Sequence, residues 1–227
     1  MVGSEQLQVE LRKSLESVKW NIVGSLTNDS RIIPMPPESR IVTVLLQALA
    51  VPEIFSWAKS HDVITKDLVE NTRGYTDIEL SGGALGRKLV ALDIKSARYL
   101  GKDHVSRMTL GTYNGYFLHP NEKRLSRGMR CYNDYDEHWI ALFVYKWEPK
   151  KSTSEMVEVV ERIVAHKWQV ASRISGSGDT ANIGGINSLS ALRTLRSKFK
   201  DKNEFEHYWR DYAVKHPRKR TRAPKSY

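Results

Sequence analysis

Cysteine is nearly absent. Cys131 is the single one in 227 residues, so no disulfide can form within the chain. That excludes a small disulfide-stapled fold and fits a reducing, intracellular setting, with Cys131 expected as a small buried hydrophobe. Long apolar runs are lacking too: none approaches the roughly 20 residues of a bilayer span. The opening MVGSEQLQVELRK has no apolar stretch of the kind a secretory signal needs. These absences predict a cytoplasmic protein without a membrane partner. Acid is in short supply, 26 Asp plus Glu against 36 Lys plus Arg, and the formal charge of +10 favours a polyanionic partner. It is missing altogether from KHPRKRTRAPKS, where Lys215, Arg218, Lys219, Arg220, Arg222 and Lys225 stand with His216. Such a run is either a solvated tail or an arm that contacts phosphate.

What is present is globular. Hydrophobic residues make up 40% and charged ones 27%, with six tryptophans, enough for one substantial core in a single domain. Leu7, Val9, Leu11, Leu15 and Val18 form a helical stripe over residues 5–20. Turn residues TNDS between two short apolar runs predict a hairpin in WNIVGSLTNDSRIIPM. A helix should start at Ser39 and be interrupted near Pro52. GYTDIEL and RKLVALDIKSA, joined by SGGALG, read as an antiparallel pair. SRMTLGTYNGYFL and EHWIALFVYKW are further strands, the second apolar enough to lie inside the sheet. SEMVEVVERIVAHKWQVASRI is expected to be strand from Arg162 onward, SGSGDTANIGG a loop, and NSLSALRTLRSKF and EFEHYWRDYAVK helices capped near Asn187 and Asn203. No repeat is visible, and the class is α+β.

The stretch LVALDIKSA, residues 89–97, sets an aspartate and a lysine inside an apolar run. A period of two puts Val90, Leu92 and Ile94 on a core face and Ala91, Asp93 and Lys95 on the other, which the pattern marks as a site. If Tyr75 to Leu80 pairs beside it, Asp77 lies across from Asp93 and two carboxylates meet one ammonium. Carboxylates so close repel unless a cation joins them, and hard oxygen ligands suit Mg²⁺. A surface Asp–Lys pair is the plainer alternative for these residues. Glu79, on the same strand face as Asp77, is either a further ligand or a solvated neighbour.

The pattern D-x15-D-x-K in GYTDIELSGGALGRKLVALDIK resembles the PD-(D/E)xK nucleases. The surrounding segments ALDIKS, MTLGTYNGYF, HWIALFVY, HKWQVASRISGSGDTANIGGI and EFEHYWRDY resemble, in order, the EcoRV-type type II restriction endonucleases. The resemblance implies a restriction-endonuclease core with a mixed central sheet flanked by helices, DNA-binding loops and a dimerisation hairpin. Residues 1–36 would carry the hairpin, 37–150 the catalytic core, and 151–227 the base-reading loop and C-terminal helices. It implies Asp77, Asp93 and Lys95 as the catalytic triad, with Asp77, Asp93 and Ile94 at a Mg²⁺ site.

Three positions depart from the family. Gln47 stands where it has a helical glutamate, leaving an indirect catalytic role or a core glutamine; Thr76 replaces the proline before the first aspartate. Gly176, Ser177, Gly178, Asp179, Thr180, Ala181 and Asn182 match the loop that reads base edges in the major groove. Asp179 replaces an adenine-reading asparagine; a carboxylate only accepts, which suits the N4 donor of cytosine and predicts a target other than GATATC. Arg73 falls in a minor-groove loop, while Thr112, Tyr113, Asn114, Arg218 and Lys219 are expected at phosphates. The implied protein is a homodimer that cuts double-stranded DNA at the centre of a six-base palindrome, leaving blunt ends, with a methyltransferase as genetic partner. A structure-specific or repair nuclease and a non-cleaving DNA-binding protein remain as alternatives.

Overall fold

The computed structural model describes residues 3–68, 75–118, 120, 130–177 and 180–216, leaving aside the side chains of residues 114, 177 and 180. Helix α1 (Ser4–Ser14) buries Leu7 and Leu11, and with Leu15 these residues, one turn apart, form its inner stripe. It ends sooner than residue 20, because Val18 is already extended. The predicted hairpin is β1 (Ser25–Leu26) against β2 (Ile32–Ile33). Its turn is closed by Thr27 and Arg31, whose N–H groups donate to the Arg31 carbonyl at 2.9 Å and to Thr27 Oγ1 at 3.0 Å.

Helix α2 (Ser39–Ser60) runs through Pro52 without the expected interruption. Pro52 and Ala48, whose carbonyl loses its usual N–H partner, both lie on the exposed face where water can serve it. Meanwhile Val42, Leu46, Ala50, Ile54, Trp57 and Ala58 form one buried stripe on both sides of the proline. By length and composition α2 is long enough and apolar enough to cross a membrane, which a count of uninterrupted apolar residues did not register. In this fold its stripe packs on the sheet.

The sheet strands follow: β3 (Ile64–Asp67), β4 (Ile78–Ser81), β5 (Leu89–Gly101), β6 (His104–Val105), β7 (Thr109–Thr112), β8 (Glu137–Trp147) and β9 (Val157–His166). The central sheet has the order β3-β4-β5-β8-β9, with β6 folded onto the end of β5. Only β5 and β8 run parallel, so the sheet is mixed. As its apolar run predicts, β8 is central, buried continuously from His138 to Tyr145. β9 begins at Val157 rather than Arg162 and gives way to one helical turn, α3 (Lys167–Val170).

β10 (Ala171–Ser177) and β11 (Thr180–Gly185) then form a hairpin that pairs with β7 in a second sheet, where the sequence pattern predicted a loop. β7 stops at Thr112 and residues Asn114–Leu118 wind into a helical turn instead of extending the strand. Gly111 makes that possible: its φ is +113°, and a Cβ there would come within 1.7 Å of the Tyr116 hydroxyl.

Helices α4 (Leu189–Arg193) and α5 (Lys202–Lys215) are capped by Ser188 and Asp201, which accept the N–H groups of Ala191 and Glu204. Asn187 and Asn203 are displaced from that role. The Asn187 carbonyl is engaged by Val105 N–H at 2.9 Å, and Asn203 lies inside the first turn of α5.

Core residues cover both faces of the central sheet. Val90, Leu92 and Ile94 pack with α1 and α2; Ala91, Ile140, Leu142 and Val144 pack with Tyr75, Tyr116, Tyr132 and the Phe205 and Trp209 of α5. The face of β5 that carries Asp93 is therefore a second core layer and not an open surface. The whole is an α+β fold, a mixed central sheet flanked by helices.

Candidate active site

The β4–β5 register pairs Ile78 with Leu92, so Asp77 and Asp93 occupy the next rung side by side. Asp77 N–H donates to the Leu92 carbonyl at 3.2 Å, and Asp77 Oδ2 accepts the Ile94 N–H at 2.6 Å. Lys95 Nζ stands 3.6 Å from Asp77 Oδ2 and 3.9 Å from Asp93 Oδ1. The hairpin thus brings the three residues together as their spacing predicts. Just before Asp77 the backbone turns through Thr76 at φ +65°, with the Thr76 hydroxyl shared between the carbonyls of Leu92 at 2.9 Å and Ile78 at 3.1 Å. A positive φ is strained for a β-branched residue and closed to proline, so this backbone does not accommodate a proline at position 76.

A fourth charged residue went unnoticed in the sequence. Lys167, only 1% exposed, donates from Nζ to Asp93 Oδ2 at 2.8 Å and to Tyr75 Oη at 3.1 Å. It lies over the rings of Tyr75 and Tyr116, 4.5 and 4.8 Å from their centroids. Because a lysine ammonium only donates, Tyr75 accepts from it and turns its own proton to His138 Nδ1. His138 is therefore neutral, in keeping with burial, which drives its pKa far down, and it stacks on Tyr132 at 3.8 Å. Nothing in the run VAHKWQV distinguishes a lysine that snorkels outward from one drawn inward by a distant carboxylate.

Counted as two carboxylates and two ammonium groups, these four side chains are neutral in sum, although burial outweighs Asp93 at Lys167 and holds its pKa below the ordinary lysine value. Burial would raise Asp93, but Lys167 and then Lys95 outweigh it and hold its carboxyl below the usual range. Asp77 is raised, by burial first; Lys95 opposes this and the neighbouring Asp93 adds to it. For Lys95, burial works downward, yet Asp93 and Asp77 prevail and its pKa is raised. A pair of adjacent carboxylates, one resisting ionisation, is an arrangement that a divalent cation relieves. Among the described residues no three or more His, Cys, Asp or Glu cluster to hold a metal. Two carboxylates fit an ion that keeps waters and takes further oxygens from phosphate, as Mg²⁺ does.

Other expected site residues are placed differently. Glu79 is not solvated: it is 9% exposed, and its Oε2 is engaged by Arg130 Nε at 3.0 Å and Tyr135 Oη at 3.2 Å. Gln47 is half-buried and not a core residue; it follows by one turn Thr43, whose Oγ1 is 2.8 Å from Ser96 Oγ of β5. Ile94 points its side chain into the α2 layer and meets the site through its N–H. Tyr113 is a core residue, 5% exposed, that stacks on Trp209 and donates its hydroxyl to the His216 carbonyl at 3.3 Å, which removes it from the surface where phosphate would sit. Ala181 likewise packs inward at 5% exposure.

Gly176 and Asn182 lie on the β10–β11 hairpin, and Asn182 pairs with Thr112 of β7, so the expected base-reading segment and Thr112 share one small sheet. Ser177 and Thr180 close the described part of the hairpin as a strand pair, and Asn114 opens the turn after β7. Arg73, Gly178, Asp179, Arg218 and Lys219 lie outside the described residues.

The profile of the family described as Restriction endonuclease EcoRV matches residues 16–227. The Type II restriction enzyme EcoRV of Escherichia coli is 25% identical over 211 residues, covering 87% of this chain and 84% of that one.

Proposed function

We infer that this chain, which belongs to the EcoRV restriction endonuclease family and is a type II restriction enzyme, cleaves both strands of DNA at a short palindrome with Mg²⁺ as its cofactor. The observation that carries the chemistry is the meeting of Asp77, Asp93 and Lys95 on one rung of the β4–β5 hairpin. Asp77 and Asp93 would hold the ion beside Ile94, and Lys95 would orient the attacking water. When bound, Mg²⁺ stabilises charge on the phosphoryl oxygen and leaving group and lowers the pKa of a bound water.

Specificity is assigned to the segment joining β10 to β11, which in sequence includes Asp179. A carboxylate there accepts from cytosine N4–H but offers nothing to adenine's N7 acceptor beside its N6 donor, so the six-base target differs from GATATC. Arg73 reaches the minor groove, while Thr112, Asn114, Arg218 and Lys219 set register on phosphates. The β1–β2 hairpin joins two copies about a twofold axis, giving one active site per strand and blunt, 5′-phosphorylated ends at the centre of the palindrome. The enzyme works in the cytoplasm, where a methyltransferase of the same specificity must protect the host DNA.

Digestion of a sequenced plasmid and a phage genome with the purified protein and Mg²⁺, followed by sequencing of the ends, tests this. Discrete fragments with blunt ends at one palindrome other than GATATC are expected. Cleavage governed by DNA structure, or none with any divalent ion, overturns the proposal.

A further inference from the structure

Lys167 sits on α3, the single turn joining the central sheet to the base-reading hairpin, and its ammonium is enclosed. Asp93 Oδ2 at 2.8 Å and Tyr75 Oη at 3.1 Å take two of its three donors, while the Tyr75 and Tyr116 rings lie against it at 4.5 and 4.8 Å. Behind Tyr75 stands the neutral His138, stacked on Tyr132. Among the described residues, Asp93 is the only carboxylate within ion-pairing distance of this lysine. The ammonium therefore occupies an oxygen of a residue that the preceding section assigns to the metal. A divalent ion bound to Asp93 has to share that carboxylate with a fixed positive charge or displace it, and either costs affinity.

We propose that Lys167 is a built-in counter-cation of Asp93, which positions and neutralises that carboxylate in the metal-free protein and thereby lowers the affinity of the Asp77–Asp93 pair for Mg²⁺. This rests on the metal-site reading given above. It assigns Lys167 a positioning role distinct from that of Lys95, which lies between both carboxylates at 3.6 and 3.9 Å and is a quarter exposed. The two lysines divide the labour: one stands open to a reacting phosphate, the other is sealed behind the ligand.

The test compares wild type, Lys167→Met and Lys167→Arg without DNA, so that nothing is cleaved, by thermal melting and Mg²⁺ titration calorimetry. Lys167→Met should melt below wild type in chelator, bind Mg²⁺ about tenfold tighter or more, and gain more thermal stability from it, because a unit charge a few Å away is gone. Lys167→Arg, which keeps the charge, should bind Mg²⁺ like wild type. A lysine of purely structural importance would give unchanged or weaker Mg²⁺ binding in Lys167→Met, and that result overturns the proposal. If Lys167→Met fails to fold in chelator, recovery of its fold by Mg²⁺ supports the exchange of one cation for another; failure to recover overturns it. No Mg²⁺ binding by any of the folded proteins sinks the metal-site reading itself.

Discussion

Removing Asp93 would take away the one carboxylate that pairs with the buried Lys167 among the described residues, and one of the two that flank Lys95. Asp93→Ala is therefore expected to do two things. It should abolish cleavage, and it should destabilise the fold by about 3–5 kcal/mol, the usual cost of leaving one member of a buried ion pair alone. Asp93→Asn keeps an oxygen to accept from Lys167 at 2.8 Å and should lose cleavage with less effect on stability. Plasmid cleavage and chemical denaturation measure both, and equal stability of Asp93→Ala and wild type would deny the pairing its structural weight.

Thr76 offers a second prediction at this scale. With φ at +65°, its backbone is out of reach of a proline ring, which fixes φ near −65°. Thr76→Pro, though it restores the family's residue, should destabilise the protein by at least about 1 kcal/mol and reduce cleavage by displacing Asp77. A stable, fully active variant would show that the turn takes the family's path. Asp77, Asp93 and Lys95 were legible in the sequence because a hairpin converts spacing into proximity. Lys167, 74 residues from its partner, was not, since no local period links α3 to β5.

Among elements, the contact of α1 with the end of α2 is expected to depend on pH. His61, which follows α2, places Nε2 2.7 Å from Glu10 Oε2 and Nδ1 2.8 Å from the Trp57 carbonyl. Burial opposes its charge, but Trp57 and Glu10 prevail and its pKa is raised above the ordinary value. Glu10 is lowered, by Gln6 first and then His61. A raised histidine contributes its stability in full below the unfolded-state value of about 6.5 and loses it as pH climbs through the folded-state value. The lowered glutamate contributes above about 4.5 and fails as pH falls through its folded-state value. The pair thus stabilises most between those two limits. His61→Gln should lower the melting temperature more at pH 5.5 than at pH 8.5, and an equal loss at both would show that the pair carries no charge-dependent stability.

The helical stripe of α1, the strand of β5 and the continuous apolar run of β8 were read as the elements they are, although α1 stops before residue 20 and β5 is buried on both faces. Elements whose conformation depends on a neighbour were not. SGSGDTANIGG looks like a loop by its glycines, yet Gly184 is needed in a strand, since a Cβ there would stand 2.3 Å from the Ile174 carbonyl of β10. Pro52 was read as a break because its sequence does not disclose that it faces solvent.

For the whole molecule, the exposed apolar surface bears on assembly. Val23, Leu26, Ile32 and Ile33 are 58, 74, 57 and 51% exposed, and all belong to the β1–β2 hairpin or the residues leading into it. Such a concentration on a two-stranded ribbon is the surface that the proposed dimer would cover. A second copy related by a twofold axis answers the demand for two active sites on two strands. Each large side chain buried there contributes roughly 1.5–3 kcal/mol, and a carboxylate in its place would be desolvated without a partner. Leu26→Asp should therefore keep the fold, because the side chain touches little within its own protomer, while shifting the protein to monomer in sedimentation velocity. With the monomer, double-strand cleavage of a supercoiled plasmid should fall by at least about tenfold, the loss of a dimer contact worth 1.4 kcal/mol or more. If wild type itself sediments as a monomer under cleaving conditions, or Leu26→Asp remains dimeric and fully active, the hairpin is not what joins the two copies.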